Sequence, residues 1–195
     1  MLVGHFGIAQ LGKAIRREIP FAWLVVAAYL PDLVRVPLTA VTKYHEIWSH
    51  SLPVVSGFAL AAVILYLLRG GRFLGAAVIA LVCLSHWPAD YFTGCKPTTF
   101  GGPWFGLISY RRPISDLLME CGLLVAGWAA ARRAGFLIGR AWLVLGIAVQ
   151  VAFLASMYAG AQFVIGDREW TWKPSITLKP QPQALESLVC RPPTY

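Results

Sequence analysis

Residues 73–92 read FLGAAVIALVCLSHWPADYF, and the interpretation of the whole chain begins from this stretch. Its length matches the roughly 20 apolar residues that a helix needs to cross a bilayer. Near its end His86 and Asp90 are spaced i,i+4, which places both side chains on one helical face. Pro88 lies between them and is expected to kink or end the helix. Because an imidazole and a carboxylate are unfavourable beside lipid, the pair predicts either a hydrogen bond within a helix bundle or a metal-binding site.

The composition of the chain is typical of a membrane protein. Of its 195 residues, 57% are hydrophobic and 13% are charged, whereas a soluble domain carries roughly a quarter charged residues. The formal net charge is +8, and the basic residues lie mainly between apolar segments, where they orient a membrane protein and contact lipid. The sequence has no basic stripe with interleaved aromatic residues, so a nucleic-acid partner is not expected. It also has no nucleophile-elbow, Walker or dinucleotide motif, so serine-nucleophile and nucleotide-driven mechanisms have no support.

The apolar segments predict an all-α fold, a polytopic membrane helix bundle. Residues 3–17 and 21–31 are expected to form an N-terminal hairpin of short helices, with Pro20 at its turn and a second arm too short to cross. A polar connection over residues 33–50 follows. About four crossing helices are predicted over residues 51–68, 73–92, 114–131 and 141–165, with a Gly- and Pro-rich loop over residues 93–112. The predicted membrane domain is residues 1–165, and residues 166–195 are a polar, Pro-rich C-terminal tail.

Alternating crossings bring side chains with metal-ligand chemistry to one side of the membrane. His50 precedes the first crossing helix, and the return helix carries His86 and Asp90 back to the same level. The N-terminal hairpin would return His5 and Asp32 to one level as well. Imidazole and carboxylate groups are good ligands for a borderline divalent ion. We therefore predict that these five residues bind a divalent metal, with zinc as the first choice.

Further residues near these motifs are assigned to catalysis, to orienting the ligands or to binding the substrate. Asp32 or Asp90 would act as the general base where it is not a ligand. The orienting and substrate-binding candidates are His45, Glu46, Arg111, Arg112 and Asp116. Simpler interpretations stay open, because His45 could be a solvated loop residue and Asp116 could pair with the two arginines.

The order of these motifs resembles the family of membrane-bound metal-dependent hydrolases associated with LexA regulation in bacteria. Residues 1–95 carry the resemblance, through His5, Pro31-Asp32, the segment from His45 to Ser51, and His86 to Asp90. Two positions depart from the family pattern, because Glu46 stands in place of an arginine and Ser49 in place of a threonine. The anion at position 46 argues against phosphate binding there. The resemblance implies a divalent metal, a hydrolytic activity and a bacterial membrane.

These observations predict a membrane-bound metal-dependent hydrolase. Its substrate would be a phosphoester or ester of a lipid or lipid-linked molecule, because the site opens at head-group depth, and membrane lipid is the expected partner. One alternative is a haem-binding electron carrier with His50 and His86 as axial ligands, although such a site has no use for two carboxylates. Another is a structural or assembly protein whose polar cluster stabilises the bundle. The oligomeric state and the pairing of Cys95 with Cys190 are left open.

The distribution of basic residues predicts the orientation in the membrane. The two shortest loops carry Arg69, Arg72, Arg132, Arg133 and Arg140. Because the positive-inside rule weights short loops, these loops are expected on the cytoplasmic face of the inner membrane and the metal site on the outer face. Basic residues on the side of the site, among them Arg35, Lys43 and Lys96, favour the opposite orientation.

Overall fold

The computed structural model describes residues 2–42, 44–107, 113–136 and 138–160, and these residues are mostly helical. The helices, in chain order, are α1 (Gly4–Ile15), α2 (Phe21–Val41), α3 (His45–His50), α4 (Leu52–Leu68), α5 (Phe73–Leu84), α6 (His86–Thr93), α7 (Pro113–Arg133) and α8 (Arg140–Gly160). Two short strands, β1 (Lys96–Pro97) and β2 (Trp104–Phe105), pair antiparallel between α6 and α7. The prediction of a mostly helical protein is confirmed, and the predicted tail over residues 166–195 lies outside the described residues.

Three helical stretches are long and apolar enough to cross a membrane: Phe21–Val41, Phe73–Thr93 (α5 followed by α6) and Ile114–Arg133. Leu52–Leu68 and Arg140–Ser156 are apolar but shorter. At a rise of about 1.5 Å per residue, the 17 residues of α4 are at the lower limit for a hydrocarbon core of about 30 Å. The described residues are therefore compatible with an integral membrane protein and contain three candidate spans, where the sequence predicts about four.

The second helix differs from its prediction. The sequence predicts an end at residue 31, but α2 has 21 residues and continues through Pro31 and Pro37, so the prediction of a half-crossing arm is wrong. The apolar character resumes after Asp32, with Arg35 as the one further charge before residue 41. A proline removes one backbone hydrogen bond, and membrane helices tolerate this because neighbouring groups and local adjustments compensate. Asp32 therefore lies in the middle of a candidate span and not at the end of a hairpin arm.

The return helix is interrupted at Ser85, between α5 and α6. Pro88 has no N–H to donate to the carbonyl of Leu84 four residues earlier, so the regular bonding of the helix is lost there. The helix resumes at once, and the N–H of Ala89 donates to the carbonyl of Ser85 at 3.1 Å. The interruption makes His86 the first residue of α6, where it is completely buried.

The first helix packs closely against α7 through glycine. A Cβ added at Gly7 would overlap the backbone of Leu123, and a Cβ added at Gly127 would overlap the carbonyl of Gly7. In a membrane, small residues at such a contact let two backbones approach, because helix association there depends on van der Waals packing. These glycines therefore set the position of α1, which carries His5.

The start of α1 is also fixed by a carboxylate of α7. Glu120 accepts hydrogen bonds from the backbone N–H groups of Leu2 and Gly4 at 2.8 to 2.9 Å. An α-helix leaves its first N–H groups without intrahelical partners, and a buried start needs acceptors for them. Glu120 supplies these acceptors, which explains why a carboxylate lies buried between the two helices.

The β-hairpin follows α6 and is attached to the helices by hydrogen bonds. The N–H of Leu52, at the start of α4, donates to the carbonyl of Thr98 at 3.0 Å. The indole N–H of Trp87 donates to the carbonyl of Pro97 at 3.3 Å. The loop that the sequence predicts here thus contains an ordered turn, and this turn brings Lys96 close to α6.

Candidate metal centre

Four side chains from separate parts of the chain meet at one place. Asp32 comes from the middle of α2, His50 from the end of α3, and His86 and Asp90 from successive turns of α6. One ligand atom from each lies within 4.8 Å of the others. The two imidazoles and Asp90 are at most 3% exposed, whereas the side chain of Asp32 is 32% exposed. This four-residue centre is therefore buried but accessible at Asp32.

The distances within the four-residue centre suit ligands of a single ion. The Nε2 atom of His50 lies 3.1 Å from Oδ1 of Asp32 and 3.3 Å from Oδ2 of Asp90. The Nε2 atom of His86 lies 3.4 Å from the same oxygen of Asp90 and 3.9 Å from Oδ2 of Asp32. Two ligands bound about 2.0–2.1 Å from a tetrahedral zinc ion are separated by about 3.3 Å. The observed spacing is close to that separation.

The tautomer of His86 follows from its backbone contact. Its Nδ1 atom lies 2.7 Å from the carbonyl oxygen of Ala28. A carbonyl oxygen only accepts, so Nδ1 carries the proton and donates it, and Nε2 of a neutral ring then carries a lone pair. This Nε2 atom is buried and makes no hydrogen bond to any residue in the described part of the chain. The lone pair is therefore directed at the carboxylates without a donor to satisfy it.

The Nδ1 atom of His50 is held by a neighbouring hydroxyl. The Ser49 hydroxyl donates to the carbonyl of His45 at 2.6 Å and lies 2.6 Å from Nδ1 of His50. A serine hydroxyl has a single proton, and the carbonyl takes it. Ser49 therefore accepts from Nδ1 of His50, and Nε2 of His50 lies within hydrogen-bond distance of Oδ1 of Asp32, at 3.1 Å.

The lone pair on Nε2 of His86 thus faces carboxylate oxygens, which are themselves acceptors when ionised. A buried acceptor is unsatisfied when neither a proton nor a cation contacts it, and Nε2 of His86 has no hydrogen-bond partner among the described residues. A divalent cation would remove this conflict, and nitrogen together with oxygen is a donor set that zinc accepts. The residues therefore fit a metal ion, and Asp32, His50, His86 and Asp90 could hold one.

His5 lies beside the four-residue centre and contacts it through Asp90. Its Nε2 atom is 3.3 Å from Oδ1 of Asp90, and its ring stacks on that of His86 with 4.0 Å between the centroids. Burial, followed by the neighbouring His86, lowers the pKa of His5 to about 4, so this imidazole is neutral at pH 7. A neutral imidazole that faces an ionised carboxylate donates to it, so Nε2 of His5 carries the proton. His5 therefore contacts Asp90 as a donor, from outside the group of four ligand atoms.

Lys96 is a residue of this region that the sequence did not single out as part of the site. Its Nζ atom lies 3.1 Å from Oδ2 of Asp90, and the residue is 8% exposed. A buried ammonium beside a buried carboxylate forms a charge-assisted ion pair. A lysine in a Gly- and Pro-rich loop carries no sequence signal for such a role, because only the β-hairpin brings it to α6. Lys96 therefore adds a positive charge at the edge of the four-residue centre.

The other predicted residues lie away from the four ligand atoms or outside the described residues. His45 is half-buried, and its Nδ1 atom lies 3.3 Å from the carbonyl of Thr42. Asp116 is buried and accepts a hydrogen bond from the side-chain amide of Gln150 at 2.9 Å, which links α7 to α8. The side chain of Glu46, together with Arg111 and Arg112, lies outside the described part of the chain.

The arrangement does not suit a haem. The ring centroids of His50 and His86 are 5.1 Å apart, and both Nε2 atoms contact the same oxygen of Asp90. The axial ligands of a haem bind opposite faces of the porphyrin, and rings this close leave no space for the macrocycle. The geometry therefore disfavours the electron-carrier alternative.

Comparison of the chain with family models, with curated proteins and with solved structures finds no match. The resemblance to the LexA-associated hydrolases therefore stays a prediction. The motifs that carry it nevertheless include every side chain of the four-residue centre, namely Asp32, His50, His86 and Asp90. The geometry of that centre is the basis for a function.

Proposed function

We propose that this protein is a membrane-bound metal-dependent hydrolase that acts on a phosphoester or ester of a lipid or lipid-linked substrate. The supporting observation is that Asp32, His50, His86 and Asp90 bring one ligand atom each within 4.8 Å of the others inside a group of apolar helices, where Nε2 of His86 has no hydrogen-bond partner among the described residues. Ionisable residues within membrane helices are rare and commonly functional.

Three residues are assigned to the metal: His50, His86 and Asp90. Catalytic zinc sites typically use three protein ligands and keep a fourth position open. A divalent ion there, with zinc as the first choice, would lower the pKa of water and stabilise negative charge on a phosphoryl or carbonyl oxygen. His5 is assigned to orienting Asp90, because partners of this kind fix the position of a ligand and tune its basicity.

Asp32 is assigned as the general base. It is the most exposed member of the four-residue centre, so water and substrate can reach it from outside. Its contact with His50 at 3.1 Å keeps it beside the three proposed ligands. A carboxylate within hydrogen-bond reach of a water takes its proton as the water attacks the ester. Asp32 then returns that proton to the leaving oxygen, which completes the hydrolysis.

The charges of the centre favour an anionic substrate. Two carboxylates and the Lys96 ammonium carry a net single negative charge, which a divalent ion would convert into a net single positive charge. A phosphoester head group would neutralise this excess in surroundings of low dielectric constant, where electrostatic interactions are strong. The Lys96 ammonium is a compact point charge that can hold an anionic oxygen. A phosphoester is therefore preferred to a neutral ester.

The proposed location is the bacterial inner membrane, with the site on its outer face. Three candidate spans support a membrane location, and the arginines of the short loops favour a cytoplasmic position for those loops. Cys95, which precedes Lys96, is disulfide-bonded, whereas Cys83 and Cys121 are free. Disulfides persist in oxidising compartments, so this bond supports an outward-facing hairpin. Cys190, the partner considered from the sequence, lies outside the described residues.

The different roles of Asp32 and Asp90 give a direct test of this proposal. Asp32→Asn should retain the metal but lower kcat by about 10²–10⁴-fold, as expected for the loss of a general base. Asp90→Asn should lose both the metal and the activity, because it removes a ligand. The measurement is hydrolysis of phosphatidic acid and phosphatidylglycerol in detergent micelles, with the metal content determined on the same samples.

Asp116→Asn provides the matched control, because Asp116 is a buried carboxylate that contacts Gln150. This variant should keep the metal and the activity of the wild type. Equal metal loss in Asp32→Asn and Asp90→Asn would show that Asp32 is a ligand and not a base. Full activity of Asp90→Asn would contradict the hydrolytic mechanism.

A further inference from the structure

An apolar cavity lies near His5, the residue that contacts Asp90 of the four-residue centre. It has a volume of about 190 Å³ and lies between α1, α2, α7 and α8. Its lining includes Val3, Phe6, Tyr29, Trp142, Leu145 and Val149. The hydroxyl of Tyr29 donates to the carbonyl of Leu2 at 2.7 Å, so the backbone already satisfies this polar atom. The cavity therefore offers apolar contacts and no charge.

The cavity is lined on one side by exposed residues of α8. Trp142, Leu145 and Val149 follow one helical face and are 59%, 51% and 42% exposed. An exposed apolar face on a membrane helix contacts hydrocarbon and not water. The molecules that reach this side of the cavity are therefore the hydrocarbon chains of membrane lipids.

Tyr29, which lines the cavity, connects it to the four-residue centre through His5. Tyr29 lies three residues before Asp32 on α2, so the two side chains are about one helical turn apart. The ring of Tyr29 also meets His5 edge-on, with 5.6 Å between the centroids. Val3 and Phe6 flank His5 on α1. Tyr29 and His5 thus lie between the apolar cavity and the polar groups, and a lipid whose tail and head group bind at these two places would extend past them.

We propose that this cavity binds one acyl chain of a phospholipid substrate while the head group lies at the four-residue centre. The inference rests on the proposed hydrolase function, and it narrows the substrate to a lipid with an anionic head group and a long acyl chain. Contacts with the chain supply binding energy remote from the reacting bond, and this energy positions the ester beside Asp32. Long-chain lipids should therefore react faster than short-chain lipids with the same head group.

A photo-crosslinker tests the occupancy of the cavity independently of activity. The photoreactive residue p-benzoylphenylalanine replaces Val149 or, as a matched control, Val151, which is 48% exposed on α8 but does not line the cavity. Each protein is purified in dodecyl maltoside with equimolar dioleoyl phosphatidic acid, irradiated and analysed by mass spectrometry. We expect a several-fold larger lipid adduct at position 149, because detergent replaces loosely held lipid at position 151. Equal adducts at both positions, or crosslinks from position 149 to residues 161–195 or to a second copy of the chain, would overturn the proposal.

A second experiment separates this proposal from the hydrolase function. Val149→Phe narrows the cavity, so the ratio of the rates on dioleoyl and dihexanoyl phosphatidic acid should fall about tenfold, whereas Val151→Phe should keep the wild-type ratio. An unchanged rate ratio in Val149→Phe would contradict the cavity proposal without contradicting the proposed hydrolase function. If the wild type hydrolyses neither lipid, the hydrolase proposal fails, and the crosslinking still decides whether the cavity binds a chain.

Discussion

Ser49 determines which nitrogen of His50 faces the carboxylates. Ser49→Ala removes the acceptor for Nδ1 of His50, so the ring can rotate or change its tautomer. The affinity for a divalent metal should fall about 10–100-fold, the usual effect of losing a residue that orients a ligand. The measurement is competition with a chelator of known affinity.

Ser51→Ala is the matched control for this substitution. The Ser51 hydroxyl is also buried beside His50, but it makes no hydrogen bond to any described residue. Its removal should leave the metal affinity near the wild-type value. An equal loss of affinity in the two serine variants would contradict the proposed role of Ser49.

Lys96 is placed both to compete with a metal for Oδ2 of Asp90 and to attract an anionic substrate. Lys96→Met should bind the metal at least as tightly as the wild type, because a competing cation is gone. It should lower kcat/KM for phosphatidic acid by about 10²-fold, a magnitude typical of losing one electrostatic donor. Steady-state kinetics with parallel metal analysis measures both quantities. Lys96→Arg, which keeps the charge, should lose less activity, and loss of the metal from Lys96→Met would contradict this assignment.

At the residue scale, the sequence predicts the candidate ligands better than their surroundings. His86 and Asp90 follow from their spacing at the end of an apolar run, and His50 follows from its place before a helix. Lys96 does not follow, because a lysine in a polar loop looks solvated and only tertiary contacts bring it to Asp90. The proton position on His86 depends on the carbonyl of Ala28, a partner 58 residues away that no local pattern contains.

At the scale of elements, the contact between α1 and α7 sets the position of His5. Gly127→Ala would place a methyl group against the carbonyl of Gly7. Overpacking of this kind destabilises a protein by about 1–3 kcal/mol. We expect a lower free energy of unfolding for Gly127→Ala, measured by thermal or denaturant unfolding in detergent.

Gly122→Ala is the matched control on the same helix. A Cβ at position 122 meets no atom within 4 Å, and alanine favours a helix more than glycine does. This variant should be at least as stable as the wild type. Equal stability of the two glycine variants would show that the close approach of α1 to α7 does not hold the bundle together.

At the scale of elements, the predicted helix boundaries differ from the observed ones near prolines, because a proline in apolar surroundings does not always end a helix. Pro31, followed by Asp32, signals the end of a helix in a soluble protein, yet α2 continues because the residues that follow are again mostly apolar. Pro88 is correctly expected to disturb the return helix, but the interruption falls at Ser85, where the bonding of the preceding turn is lost. Hydropathy therefore predicts membrane helices more reliably than local breaking signals do.

At the scale of the whole molecule, the crossing and return of helices predict which motifs meet. His50, His86 and Asp90 converge as the alternation of crossings requires. Asp32 also converges, but as part of a long candidate span and not through the predicted hairpin. Asp116, a candidate for orienting the ligands, contacts Gln150 of α8. The convergence of these motifs is thus predictable from the sequence, whereas the other neighbours of a side chain depend on how the helices pack.

Two carboxylates close together make the binding of a cation favourable at this place. Asp32 and Asp90 lie in one buried group, and like charges in surroundings of low dielectric constant repel each other. The Lys96 ammonium offsets part of this repulsion. The rest would be offset by a divalent ion between the imidazole nitrogens and the carboxylate oxygens, so the whole account depends on metal binding.

The metal content of the purified protein tests this central claim most directly. Wild type, His86→Ala and His45→Ala are purified in parallel in detergent and examined by elemental analysis. We predict about one divalent ion per chain in the wild type. His45→Ala should contain the same amount, because His45 contacts the backbone of Thr42 and not the four ligand atoms. His86→Ala should contain no metal above background. Full occupancy in His86→Ala, or a wild type without bound metal, would contradict the claim that these imidazoles and carboxylates hold a metal ion.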